Sequence, residues 1–168
     1  MEQTREESVV SRSSVVVVGL DGSRASVEAL AEACELARAR QGEVEAVTVW
    51  RSPPGIRNEG LAYRRGHEQA VRVQAAAVAS LTDQLGGQTS AAPPISGVVV
   101  EGDPGELLAR AGRGAACIVL GRRGGPGGGP GGATPTVRRC RRLSSCPVLL
   151  AASVPQEAEV PTYRDQRP

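Results

Sequence analysis

Ile118-Val119-Leu120 is an apolar run that empties into a glycine-rich stretch, Gly121 to Gly132, followed by an arginine-rich segment and then Cys146-Pro147-Val148-Leu149-Leu150. α/β proteins offer backbone N–H groups to a phosphate through a short buried strand that runs into glycines and then a helix. Glycine permits close approach, and a helix start favours negative charge. The stretch is therefore the candidate ligand loop, and the rest of the chain must supply a parallel sheet to carry it.

The patterning upstream does so. Val15 to Val18 is continuously β-branched, as expected of a central parallel strand covered on both faces, and Gly19-Leu20-Asp21-Gly22-Ser23 ends it in a turn with Ser23 as a helix N-cap. Residues 25–40 repeat apolar side chains at helical spacing, with Val27, Leu30, Ala31, Cys34 and Ala37 inward. A second strand is predicted over 44–50, a loop over 51–66, and a helix over 67–85 with Val71, Ala75, Val78, Leu81 and Leu85 as its inner stripe. A third strand covers 95–100. Asp103-Pro104-Gly105-Glu106 combines an N-cap acid, a proline at the first helical position and a glutamate three residues after the cap, so a helix starts at Pro104. A fourth strand over 116–120, a helix over 134–144 and a fifth strand over 148–152 complete the series. Strands alternating with helices predict a single doubly wound, mainly parallel five-stranded α/β sheet flanked by helices, Rossmann-like. Ligands bind such sheets at the carboxyl ends of strands where the winding reverses, here after strands one and four.

At 168 residues the chain has the length of one domain, placed at 14–153, with polar stretches 1–13 and 154–168 read as disordered tails. A net charge of +2 does not call for nucleic acid or a membrane surface. Every basic residue is Arg and none is Lys, but the arginines are scattered, which marks compositional bias. Arg138-Arg139-Cys140-Arg141-Arg142 could form a nucleic-acid or phosphate patch, but helical spacing turns Val137, Cys140 and Ser144 inward and fans the arginines over the solvent face, and the solvated exterior is the preferred reading. Cys34, Cys117, Cys140 and Cys146 have no paired spacing and read as reduced packing residues. With His67 the only histidine, and read as a surface residue, no metal site or catalytic residue is expected. The sequence shows neither a signal pattern nor an apolar run long enough to span a bilayer, and the expected location is cytoplasmic.

Four segments resemble a known family in its own order. Val16 to Ser23 looks like the opening strand and turn, Glu101-Gly102-Asp103-Pro104 like the segment before the third helix, Val119 to Gly124 like the fourth strand and loop, and Cys146-Pro147-Val148-Leu149 like the closing strand of the universal stress proteins. The resemblance implies a five-stranded sheet, a homodimer and, in one branch of the family, an ATP site. In that branch the first-turn aspartate and the end of the second strand hold the adenosine, and a Gly-x2-Gly-x9-Gly-Ser/Thr loop holds the phosphates. By position, the adenosine contacts fall on Asp21 and Val49, and the first two loop glycines on Gly121 and Gly124. The remaining glycine and serine are replaced by Thr134 and Pro135.

That replacement keeps a good helix start, a capping hydroxyl with proline behind it, but removes one N–H and one hydroxyl donor from the phosphate site. Thr134 or Thr136 is the candidate substitute donor, and Arg122 and Arg123 are the arginines nearest the loop. The candidate nucleotide-binding residues are therefore Gly19, Asp21, Ser23, Val49, Gly121, Arg122, Arg123, Gly124, Thr134 and Thr136. The reading is a regulatory binding module for ATP or another adenine nucleotide, with a weakened phosphate loop and Mg2+ present only if ATP is bound. It would form a homodimer through the last strand. The alternative is a ligand-free dimer acting through protein contacts. A nucleotide hydrolase ranks third, because no base or metal-ligand set is visible. A Gly-x4-Gly-Lys-Ser/Thr motif is absent, which excludes a P-loop ATPase.

Overall fold

In a computed structural model of the chain, the described residues are 11–52, 60–84, 92–122 and 134–151. Strands β1 (Val16–Leu20), β2 (Val44–Trp50), β3 (Ile95–Glu101), β4 (Cys117–Leu120) and β5 (Val148–Leu150) alternate with helices α1 (Arg24–Ala39), α2 (Leu61–Gln84), α3 (Pro104–Ala111) and α4 (Pro135–Leu143). The strands form one sheet in the order β3-β2-β1-β4-β5, every neighbouring pair parallel. The doubly wound five-stranded sheet predicted from the alternation is the fold observed.

The valine run sits at the centre because both of its faces are covered. Val16, Val18 and Leu20 pack with Ala29, Leu30 and Ala33 of α1 and with Ala77 and Leu81 of α2. Val15 and Val17 join Leu108 of α3, Ile118 of β4 and Val137 and Cys140 of α4 on the other face. Val15 to Val18 are fully buried, and each such side chain contributes about 1.5–3 kcal/mol relative to exposure. A charged residue at Val17 would be stranded with no partner in this layer.

Three expectations change. The predicted loop over 51–66 is too long, because α2 begins at Leu61. Gly66 reads as a loop residue in sequence, yet it lies inside the helix beneath the indole of Trp50, where an added Cβ would come within 2.7 Å of a ring carbon. Tyr63 packs edge-on against the same indole, ring centroids 4.8 Å apart. The inner stripe of α2 stands at Val78 and Leu81, which pack with the core, and changes upstream of them. Ala70, Ala77 and Leu81 are buried, whereas Val71 and Ala75 are exposed. Ala and Val surround this helix, so the apolar pattern permits more than one inward face. Gln74 favours the observed one, its amide donating to the carbonyls of Ala46 at 2.9 Å and Val98 at 3.0 Å. Residue 85 of the predicted stripe lies outside the described residues.

The third change is at the entry to the domain. Arg12–Ser14 forms one turn of 3-10 helix, and Arg12 pairs with Glu45 of β2 at 2.5 Å and donates to the carbonyl of Ala111. The start of α3 at Pro104 and the cap at Ser23 stand as predicted.

Candidate functional site

After β1 the chain crosses to the face carrying α1 and α2, and after β4 it crosses to the face carrying α4. The carboxyl ends of these two strands part, as they must at a topological switch point. The opening is a cleft of about 450 Å³, within the range of about 300–1,000 Å³ usual for small-molecule sites. Its floor is apolar, from Val47 and Val49 of β2, Leu108 of α3 and Leu120 of β4, and its rim is polar, from Asp21, Ser23, Arg51, Thr134 and Thr136. The structure thus brings together Gly19, Asp21, Ser23, Val49, Gly121, Thr134 and Thr136 from the sequence candidates. Arg122 is exposed and is not part of the lining. Arg123, Gly124 and the glycine stretch through 133 lie outside the described residues.

The rim after β1 is a locked turn. Asp21 Oδ1 accepts from the backbone N–H of Ser23 at 2.9 Å and from its hydroxyl at 2.6 Å. Ser23 Oγ in turn accepts from the N–H of Ser26 at 3.2 Å and caps α1. Gly22 supplies the positive φ (81°) that this turn requires. These bonds engage one carboxylate oxygen, and Oδ2 remains an acceptor for a ligand donor. Asp21 is therefore a turn residue and a cleft residue at once. The glycines have a packing role that precedes any ligand. A Cβ on Gly121 would approach the backbone of Ala25 to 2.7 Å, and one on Gly19 would meet Leu120 at 2.7 Å.

The opposite rim is the start of α4. Thr134 Oγ1 accepts from the N–H of Val137 at 3.2 Å, Arg138 donates to the Thr134 carbonyl, and Pro135 has no N–H. Of the first-turn donors, the Thr136 N–H is the one left for an anion, joined by the hydroxyls of Thr134 and Thr136.

Sequence reasoning missed Arg51. It follows β2, lines the cleft and bonds Asp103 Oδ2 at 2.5 Å, while the other oxygen of Asp103 caps α3 through the N–H of Glu106 at 3.1 Å. Arg139 Nε also lies 3.1 Å from Asp103 Oδ1, and Arg139 pairs with Glu106. The hydrogen bond to Glu106 first, and then the charges of Glu106 and Asp103, hold the Arg139 pKa above its ordinary value. The arginines of α4 therefore do not all fan into solvent; one ties α4 to α3. No local pattern signals this, because the partners lie 52 and 33 residues apart. His67 is exposed, its ring 6.2 Å from that of Trp50, and it is not part of the cleft lining. Among the described residues no group of three or more His, Cys, Asp or Glu is placed to hold a metal ion.

Comparison with known proteins agrees with this fold. Residues 13–152 match the model of the universal stress protein family. A universal stress protein of Burkholderia pseudomallei is similar at 28% identity, over 84% of this chain and 98% of that one, with a TM-score of 0.59. One from Lactobacillus plantarum shares the fold at 20% identity, over 82% and 97% of the two chains, with a TM-score of 0.55. One from Archaeoglobus fulgidus, solved in complex with dAMP, shares it at 18% identity, over 82% and 96%, with a TM-score of 0.50. No curated protein sequence matches the chain.

Proposed function

The chain belongs to the universal stress protein family, and from that premise we propose that it is a binding module for adenine nucleotides whose adenosine end is better held than its phosphates. The observation that carries the reading is the make-up of the switch-point cleft, an apolar floor with a carboxylate at one rim and a capped helix start at the other. Val47, Val49 and Leu108 offer a surface for a flat base, and Asp21 Oδ2 accepts from a ring amino group or a ribose hydroxyl. The Thr136 N–H and the two threonine hydroxyls face the first phosphate. Mg2+ would enter only with the phosphates of ATP. The dAMP complex of the Archaeoglobus protein speaks for the fold alone and is consistent with this use of it.

The module works by binding rather than by catalysis, since the reading supplies no general base beside the phosphate end. A reducing compartment such as the cytoplasm suits the four free thiols. A homodimer through β5 fits the same molecule: β5 is an edge strand, and Leu149 on it is 37% exposed. The edge also supports the second reading, in which the dimer serves protein contacts without a ligand.

Calorimetry of adenosine and AMP with the full chain and with Val49→Asp tests the proposal. Binding to the full chain that falls about tenfold or more in the variant supports it, because a charge then faces the base. Absence of binding to the unaltered protein moves the assignment to the ligand-free dimer.

A further inference from the structure

Beside the cleft, and meeting it at Arg51, Pro135 and Thr136, lies a second cavity of about 430 Å³. Its remaining lining is Asp103, Arg138, Arg139 and Arg142, so four guanidinium groups face one carboxylate. Arg139 is committed to Asp103 and Glu106, and Arg51 gives one N–H to Asp103 and keeps others. Arg138 and Arg142 stand four residues apart on the same side of α4, and among the described residues neither has an ion-pair partner.

This arrangement works against the helix that carries it. Like charges at i and i+4 repel, and Arg138 stands near the helix start, where the dipole disfavours a cation, although Arg142 in the last turn is favoured by it. The chain holds both, exposed, in the lining of an open cavity of about 430 Å³. An anion of high charge density, with oxygens matching the guanidinium fork, relieves both costs.

The geometry points to a second anion subsite at Arg138, Arg142 and Arg51, which takes a pyrophosphate group, either free or as the terminal phosphates of a nucleotide whose adenosine lies in the cleft. The nucleotide form rests on the function proposed above; the anion subsite itself does not. In that form the phosphate chain passes over Pro135 and Thr136 toward the arginines.

The test is calorimetry of adenosine, AMP, ATP and inorganic pyrophosphate with the full chain and with Arg138→Ala/Arg142→Ala. Arg110→Ala/Arg141→Ala serves as a control that removes equal charge elsewhere, and thermal unfolding confirms that each variant folds. The expected result is a loss of about tenfold or more for ATP and pyrophosphate in the first variant, with adenosine and AMP unchanged and the control like the parent. A loss for ATP alone assigns the subsite to the nucleotide's own phosphates, and a loss for pyrophosphate alone assigns it to a free anion. Loss for neither, or an equal loss in the control, overturns the subsite. Absence of adenosine and AMP binding to the parent chain sinks the nucleotide reading instead and leaves the pyrophosphate arm to judge the subsite.

Discussion

Thr134 Oγ1 accepts the backbone N–H of Val137 at 3.2 Å, so the residue that opens α4 uses its side chain to close the donor that an anion would otherwise take. With Pro135 behind it, one first-turn N–H remains free. Thr134→Gly with Pro135→Ser should free the Val137 N–H and add an N–H and a hydroxyl at position 135, in exchange for the Thr134 hydroxyl. The expected gain is about 1–3 kcal/mol, a five- to hundredfold rise in ATP affinity. The same change removes a cap and a first-turn proline and should cost about 1 kcal/mol of stability. Calorimetry and thermal unfolding on both proteins check the pair of effects; lower stability without tighter ATP binding would place the defect elsewhere in the loop.

Gly66→Ala raises helix propensity, yet it should destabilise the protein, by about 1–3 kcal/mol, because the new methyl group meets the Trp50 ring at 2.7 Å. Chemical denaturation followed by tryptophan fluorescence reads the change directly. A stabilised variant would mean that the indole shifts freely and does not anchor α2.

Alkaline pH should unfold the protein through its thiols. Burial is the main cause that raises Cys34 and Cys140 from 9.0 to about 11. Between these values the unfolded chain releases protons that the folded one retains, so stability is intact below pH 9 and falls as pH rises toward 11. Each thiol contributes on the order of 2 kcal/mol to that loss. Cys34→Ala/Cys140→Ala should flatten the slope of stability against pH over this window, whatever its effect at neutral pH. An unchanged slope would contradict the assignment.

Leu149→Arg should separate the dimer proposed through β5. Light scattering at micromolar concentration is expected to give a dimer mass for the parent and a monomer mass for the variant, with helical content retained. A monomeric parent would remove the role of β5.

The elements that could be read in advance are those in which local chemistry and the fold demand the same thing. Four consecutive valines suit only a strand covered on both faces, and Asp103-Pro104-Gly105-Glu106 makes its own cap; both appear as predicted. Asp21, Val49, Gly121 and Thr134 could be assigned to one site through the family resemblance, and the switch-point cleft brings them together. Val78 and Leu81 of α2 face the core as read, but the face of its earlier turns could not be read, since in an Ala-rich helix that choice rests on Gln74 reaching two sheet carbonyls. Gly66 misled for a related reason: its need for space comes from Trp50, sixteen positions away. Arg51 and Arg139 were invisible as a pair, because their shared partner, Asp103, already had a sufficient local explanation as a cap.

The most direct test of the adenine-nucleotide assignment is the perturbation of backbone amide resonances of the full chain on titration with AMP. The account predicts shifts concentrated at Ser23, Val49, Gly121 and Thr136, the rims and floor of the one cleft, with β3 and the outer face of α2 unmoved. Saturating AMP that leaves these four amides unchanged, or that shifts only residues away from the ends of β1 and β4, would contradict it.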